Sequence, residues 1–215
     1  MGSRNNRRAL KVLRYLRQKH SHQAKQIDIL CRDMVGAHRE FSVKLATLNF
    51  AVSFYESLLG CSDMETLLDT AAGRFRAALN GADAAIFLLS DHGFDVHIAN
   101  AGLFEPVEKG QFANWFTPKL VDTISRMNRI CWLEQMLRMG LQAPPGVLKT
   151  ISLAAAPLGQ FEKGAGFVLI YRPASMPLQP DELSCVAAVA PGLRKAIAGF
   201  MFKNSSTSAN SGFTI

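Results

Sequence analysis

The chain has 215 residues, 48% of them hydrophobic, and a formal charge of +7. That is enough apolar material for one well-packed domain plus an appendage, and it excludes a wholly disordered chain. The charge is local: Met1–Ile27 carries eight basic residues and no acid, which leaves 16 basic against 17 acidic residues in the rest. A strongly anionic partner is therefore a question for the N-terminus alone. Cys31, Cys61, Cys131 and Cys185 contain no CxxC pair, which excludes a zinc ribbon and a dense disulfide framework. Reduced thiols in a cytoplasmic protein are the simplest reading. No uninterrupted apolar run reaches about 18 residues, so no membrane span is expected. The N-terminus lacks the apolar core and cleavage site of a signal peptide.

From about Asn6 to Leu59 there is no proline and only Gly36. An apolar seam runs through Leu13, Leu16, Ile27, Leu30, Met34, Phe41, Leu45, Leu48, Val52 and Tyr55. Its steps of three and four, with two consecutive fours after Ala37, predict one very long helix with a stutter in a coiled-coil seam. So narrow a stripe, flanked by polar residues, calls for a partner helix, most simply its own copy. The alternative is packing on its own domain. The first turns are basic, with Arg4, Arg7, Arg8, Lys11, Arg14 and Arg17. This arm suits an acidic protein, an anionic membrane or nucleic acid, or it is a solvated tail.

Gly60 can end the long helix. Ser62 as cap with Glu65 three residues on reads as a capping box. It opens a second helix whose face is Leu67, Leu68, Ala71, Ala72, Phe75, Ala78 and Leu79, ended by Asn80-Gly81. Ala84–Leu89 and Phe94–Ala99 then read as a hairpin around Ser90-Asp91-His92-Gly93. Asp91, Asp95 and His97 are the nearest approach to a metal cluster, but their spacing is that of a polar turn beside an edge strand, and no metal site is assigned.

Ala101–Gly110 reads as irregular. Gln111 to about Asn128 reads as helix interrupted near Thr117-Pro118. Phe112, Trp115 and Phe116 share a face there, and Trp132 lies beyond. These aromatics either line a pocket or fill an ordinary core. Thr150–Leu158 and Ala165–Tyr171 are apolar at both parities, so both faces of these strands should be covered. The glycine-bounded segment 159–164 makes them an antiparallel hairpin at the centre of a sheet, with Pro157 at a strand end. Pro180-Asp181-Glu182 opens a last helix with Leu183, Val186, Leu193 and Ile197 again stepping by three and four, and Pro191-Gly192 predicts a kink or break in it. From Asn204 the composition is that of a disordered polar tail ending in Phe213-Thr214-Ile215, which a carboxylate-binding groove could accept.

In this order the chain resembles a GAF domain over about residues 61–202. Leu67–Leu89 (LLDTAAGRFRAALNGADAAIFLL) is similar to that family's first core helix and strand, and Ser90–Ala99 to its next strand. Ser152–Arg172 (SLAAAPLGQFEKGAGFVLIYR) is similar to its signature hairpin, and Pro180–Phe200 to its closing helix. The resemblance implies an α+β fold: a central antiparallel sheet flanked by helices, here preceded by a long N-terminal helix. The expected division is 1–60 for the basic arm and long helix, 61–202 for the GAF-like domain and 203–215 for the tail. It also implies a pocket beside residues 102–132, where Phe112, Trp115, Phe116, Trp132, His97 and Asn100 would meet a small molecule. The motif of cyclic-nucleotide-binding members has no counterpart here. Cys131 is followed by Trp132 rather than the histidine typical of bilin attachment. The cofactor, if any, is left unknown. Dimerisation through first and last helices is common in the family. It agrees with the two seams read from the residues, which in two copies would form a four-helix bundle.

No GxSxG, HExxH or Walker-type glycine loop occurs, so an enzyme is not expected. No output domain follows, so a signal would leave through a protein partner. Two functions remain: a dimeric regulatory module that senses a small molecule, and a scaffold or adaptor that kept the fold and lost the ligand.

Overall fold

The computed structural model describes residues 2–90, 93–98, 113–159 and 165–210, and for 2–10, 12, 14 and 202–210 it describes the backbone. The chain divides into two compact units, Met1–Ala46 and Thr47–Ile215. Helix α1 (Gly2–Leu58) supplies all of the described part of the first unit and the opening turns of the second. This division falls within α1, ahead of the boundary near residue 60 expected from the sequence. Phe50, Ala51, Phe54 and Leu58 belong to the core of the second unit, and Phe54 is fully buried. In the first unit, Asp28–Arg32 at 2.5 Å and Glu40–Lys44 at 2.6 Å are exposed i,i+4 pairs. Pairs this exposed are screened by water and salt, so they decorate the helix rather than hold it.

The second unit is built on a five-stranded antiparallel sheet of order β2-β1-β5-β4-β3. The strands are β1 (Asp83–Ser90), β2 (Gly93–Ile98), β3 (Cys131–Trp132), β4 (Ile151–Pro157) and β5 (Gly166–Pro173). The hairpin of β4 and β5 forms as the alternation predicts, β5 is the central strand, and Pro157 ends β4, where its missing amide costs no ladder bond.

Strand parity sorts the core into two layers. Ile86, Val168, Ile170, Ala154 and Ala156 face one side. They are covered by the end of α1, by α2 (Met64–Ala78) and by α6 (Pro180–Asn210). Phe54 and Phe75 meet there with ring centroids 5.1 Å apart. Phe87, Phe167, Leu169, Leu153 and Ala155 face the other side. They are covered by Trp115, Phe116, α3 (Pro118–Ser125), α4 (Leu133–Arg138) and Leu141. A single turn, α5 (Pro145–Leu148), precedes β4. Both faces are apolar because both are buried, as the doubled parity requires.

Four details differ from the sequence reading. The cap of α2 is Asp63, whose carboxylate accepts from the Thr66 amide at 2.8 Å, while Ser62 donates to Asp63. A carboxylate one residue later aims at the same orphan amides and carries the charge that the helix start favours. Helix α6 is continuous across Pro191, so the expected break is absent. The stretch Pro180–Met201 has the length and hydropathy (1.3) of a membrane span. Its apolar stripe nevertheless lies in the core against the sheet. Finally, α6 runs through Asn210 where a disordered tail was expected from Asn204, because an established helix extends at the cost of one residue's freedom per hydrogen bond. The terminal Phe213–Ile215 segment lies outside the described residues.

Candidate functional site

Of the six residues grouped as a pocket, the four that are described, Trp115, Phe116, Trp132 and His97, do not converge. Trp115 and Phe116 lie side by side on the second face of the sheet, both almost fully buried. The Phe116 ring centroid is 4.7 Å from Phe87 and 5.7 Å from Phe167, and Phe87 stacks on Phe167 at 4.6 Å with planes 13° apart. These rings fill the space between sheet and α3 themselves. Trp132 lies on the opposite face: Cys131 and Ala155 point to the second layer, and Trp132, paired with Ala154, to the first.

His97 is on that first side too. Phe94, Val96 and Ile98 take the second face, so Asp95 and His97 must take the other. There His97 Nε2 is 2.9 Å from Asp69 Oδ1 on α2. A histidine tied to the neighbouring helix explains this residue without a ligand. Phe112 and Asn100 lie outside the described residues, as do Asp91 and His92. Among the described residues no three His, Cys, Asp or Glu side chains are grouped as metal ligands would be.

Two of the thiols, Cys131 and Cys185, are shifted away from reactivity. Burial pushes Cys131 up to about 11, although the Arg129 charge pulls the other way, and burial also raises Cys185. A thiol raised in this manner is a poor nucleophile at neutral pH.

The residues grouped as a dimer interface separate into two sets. Leu183, Val186, Leu193 and Ile197 of α6 are buried in their own core, so they are not available to a second copy. Their stripe is the face that α6 lays on the sheet. Tyr55 is 38% exposed and packs on α6, close enough that a Cβ on Gly192 would stand 2.2 Å from its ring. The α1 set is different. Leu13, Leu16, Ile27, Leu30, Met34, Phe41, Leu45, Leu48 and Val52 are all exposed, from 47% at Leu45 to 69% at Met34. Of the basic arm, Lys11 and Arg17 are exposed, and Arg4, Arg7, Arg8 and Arg14 lie on α1 with side chains outside the described set.

The described residues of the second unit line at least two cavities. One, of about 510 Å³, lies at the β3–β4 edge and is the one that Trp132 lines, together with Glu134, Gln135 and Ser152. A second, of about 530 Å³, lies between α6 and the end of β4. Sequence reading missed it, because its walls come from three segments far apart in the chain, residues 127–130, 156–159 and 187–198.

No family model matches the chain, and no curated protein does. Solved structures do match in fold. The GAF domain of a protein described as a sensor histidine kinase from Pseudomonas syringae pv. tomato aligns over 79% of this chain and 98% of its own, with TM-score 0.52 and 13% identity. The GAF domain of a phosphoenolpyruvate-protein phosphotransferase from Coxiella burnetii aligns over 74% and 96%, with TM-score 0.55 and 18% identity. That of an Acinetobacter phosphoenolpyruvate-protein phosphotransferase aligns over 78% and 96%, with TM-score 0.51 and 15% identity. At such identities the likeness is one of architecture, and it agrees with the strand order and two-sided helical cover described above: this chain has the GAF fold.

Proposed function

We propose that the chain is a non-catalytic regulatory module of signalling type that dimerises through α1 and acts by binding a protein partner. The observation that carries this reading is the α1 seam: nine large apolar side chains at steps of three and four, all exposed. Removing a side chain of this kind from water is worth about 1.5–3 kcal/mol. Association costs about 4–15 kcal/mol, so nine such side chains from each copy are enough to offset it. The α6 stripe takes no part, so the pairing is a two-helix coil rather than a four-helix bundle. The likeness to GAF domains from proteins described as a kinase and as phosphotransferases supports the regulatory role. Four free cysteines support a cytoplasmic location. The basic start of α1 offers the partner an acidic-binding surface.

Light scattering on the full chain at micromolar concentration should return twice 23.5 kDa. Leu30→Glu with Met34→Glu should return the single mass and leave the thermal transition of the second unit in place. A wild-type monomer would refute the proposal.

The second reading is an adaptor whose pocket has closed. It is favoured by the Phe87–Phe116–Phe167 stack, which occupies the space a ligand would need on that face. Native mass spectrometry separates the two: a retained small molecule supports sensing, and a bare dimer supports the adaptor.

A further inference from the structure

The cavity of about 530 Å³ lies on the α6 side of the sheet, opposite the Trp115–Phe116 cluster. Its floor is the end of β4, with Ala156, Pro157 and Leu158. One wall is α6, where Ala187, Pro191 and Ala198 recur at helical spacing and are too short to reach the strand. The other wall is the link between α3 and β3, with Met127, Arg129 and Ile130. The volume lies in the range of sites that hold a small organic molecule.

The charge of the lining is one-sided. Arg129 enters from the α3–β3 link, and Arg194 and Lys195 from α6, while no acid is among the described lining residues. General basicity does not explain this, because the chain beyond Ile27 has 16 basic residues against 17 acidic ones. Arg129 and Lys195 are exposed at the mouth, and Ala156, Leu158 and Ala190 are buried apolar surface behind it.

We propose that this cavity is a binding site for a free small organic anion, with a phosphate or carboxylate head at Arg129 and Lys195 and an apolar body against β4. Guanidinium groups grip such heads in a two-pronged manner, and a lysine adds a point charge. An apolar body accounts for the buried surface, which a bare inorganic ion would leave wet. The proposal does not depend on the pairing of α1.

Calorimetric titration of the full chain with octyl phosphate should saturate at one per chain. Octanoate should follow, inorganic phosphate should bind at least tenfold more weakly, and neutral octyl glucoside below its micelle concentration should not saturate. Arg129→Gln with Lys195→Gln should weaken octyl phosphate at least tenfold. Ala187→Leu, at an exposed helical position whose side chain would enter the cavity, should block it without unfolding the chain. Lys19→Gln with Lys25→Gln, on α1, should change nothing. Unaltered binding in Ala187→Leu, or loss of binding in the α1 variant, would overturn the proposal. Arg129- and Lys195-dependent sedimentation with phosphatidylglycerol vesicles, without uptake of octyl phosphate, would overturn it too, in favour of a membrane contact.

Discussion

Gly166→Ala is expected to destabilise the second unit by about 2–6 kcal/mol, a large share of the roughly 5–15 kcal/mol that holds a domain together. Gly166 opens β5 with φ of +139°, a backbone region that L side chains rarely adopt. A Cβ built there would stand 1.8 Å from the Phe87 carbonyl oxygen and 2.9 Å from its carbon. Both obstacles are backbone of β1, the neighbouring strand, so no rotamer change relieves them. Either β5 moves away from β1 or the ladder at its start is lost, and the Leu158 amide loses its bond to the Gly166 carbonyl. Gly73→Ala is the matched control. It sits inside α2 with nothing within 4 Å of its would-be Cβ, so alanine should stabilise by about 0.5–1 kcal/mol. Urea unfolding of the two variants beside wild type measures both, and a Gly166→Ala midpoint equal to wild type would show that β5 does not approach β1 this closely.

Arg172→Met is expected to cost about 3 kcal/mol, through a different mechanism. Arg172 lies near the end of β5 and is only 5% exposed. Its guanidinium donates to both Glu182 carboxylate oxygens at 3.1 and 2.6 Å, to the Pro177 carbonyl at 2.7 Å and to the carbonyls of Met176 and Leu79. One side chain therefore ties together β5, the loop that follows it, the end of α2 and the first turn of α6. Methionine fills similar space, removes the donors to the Met176 and Leu79 carbonyls and leaves the Glu182 carboxylate with the Gln179 amide but no compensating charge. Glu182→Gln keeps most of the bonds and should cost about 1 kcal/mol.

The same pair gives a pH dependence. Burial works against ionisation of Glu182, but the Arg172 hydrogen bond, the Gln179 amide and the Arg172 charge outweigh it and hold the carboxyl below its ordinary 4.5. A depressed carboxyl adds stability that is fully present above the unfolded value and is lost as pH falls through the folded one. Wild type should therefore lose stability below about pH 4.5 more steeply than Arg172→Met does. Thermal melts of both proteins from pH 7 to pH 3 check this. Parallel curves would show that the ion pair does not set the acid limb.

Period two was legible because it is a short-range signal. In β4 and β5 each residue's side follows from its neighbour's, so the hairpin, its central place and its double burial could be read from Ile151 to Tyr171. The long helix was legible because nothing from Asn6 to Leu59 interrupts it. What the two seams face was not legible. Leu183, Val186, Leu193 and Ile197 step like Leu30, Met34 and Phe41, yet the first set meets the chain's own sheet and the second meets solvent. Stripe width distinguishes them: Val189, Ala190 and Ala196 broaden the α6 face to the arc of a core helix, whereas polar residues flank the α1 seam. Phe50, Phe54 and Leu58 went unread because they form a second stripe beside Val52 and Tyr55 on one helix. The described members of the expected pocket separate for a reason of parity. Trp115 and Trp132 are close in sequence, but the two-residue strand β3 turns its tryptophan to the far side of the sheet.

The place of β5 has a consequence for how the chain is made. It is the last strand in sequence and the middle one in space, hydrogen-bonded to β1 on one side and β4 on the other. A nascent polypeptide that has left the ribosome only as far as Pro157 holds two separate pieces of sheet, each with a raw apolar edge awaiting the same missing strand. Such edges recruit the wrong neighbour readily, and pairings this distant along the chain form slowly. The interval between the emergence of Ala156 and that of Pro173 is thus when this protein most needs a chaperone, and chains stalled within it should be found in the insoluble fraction.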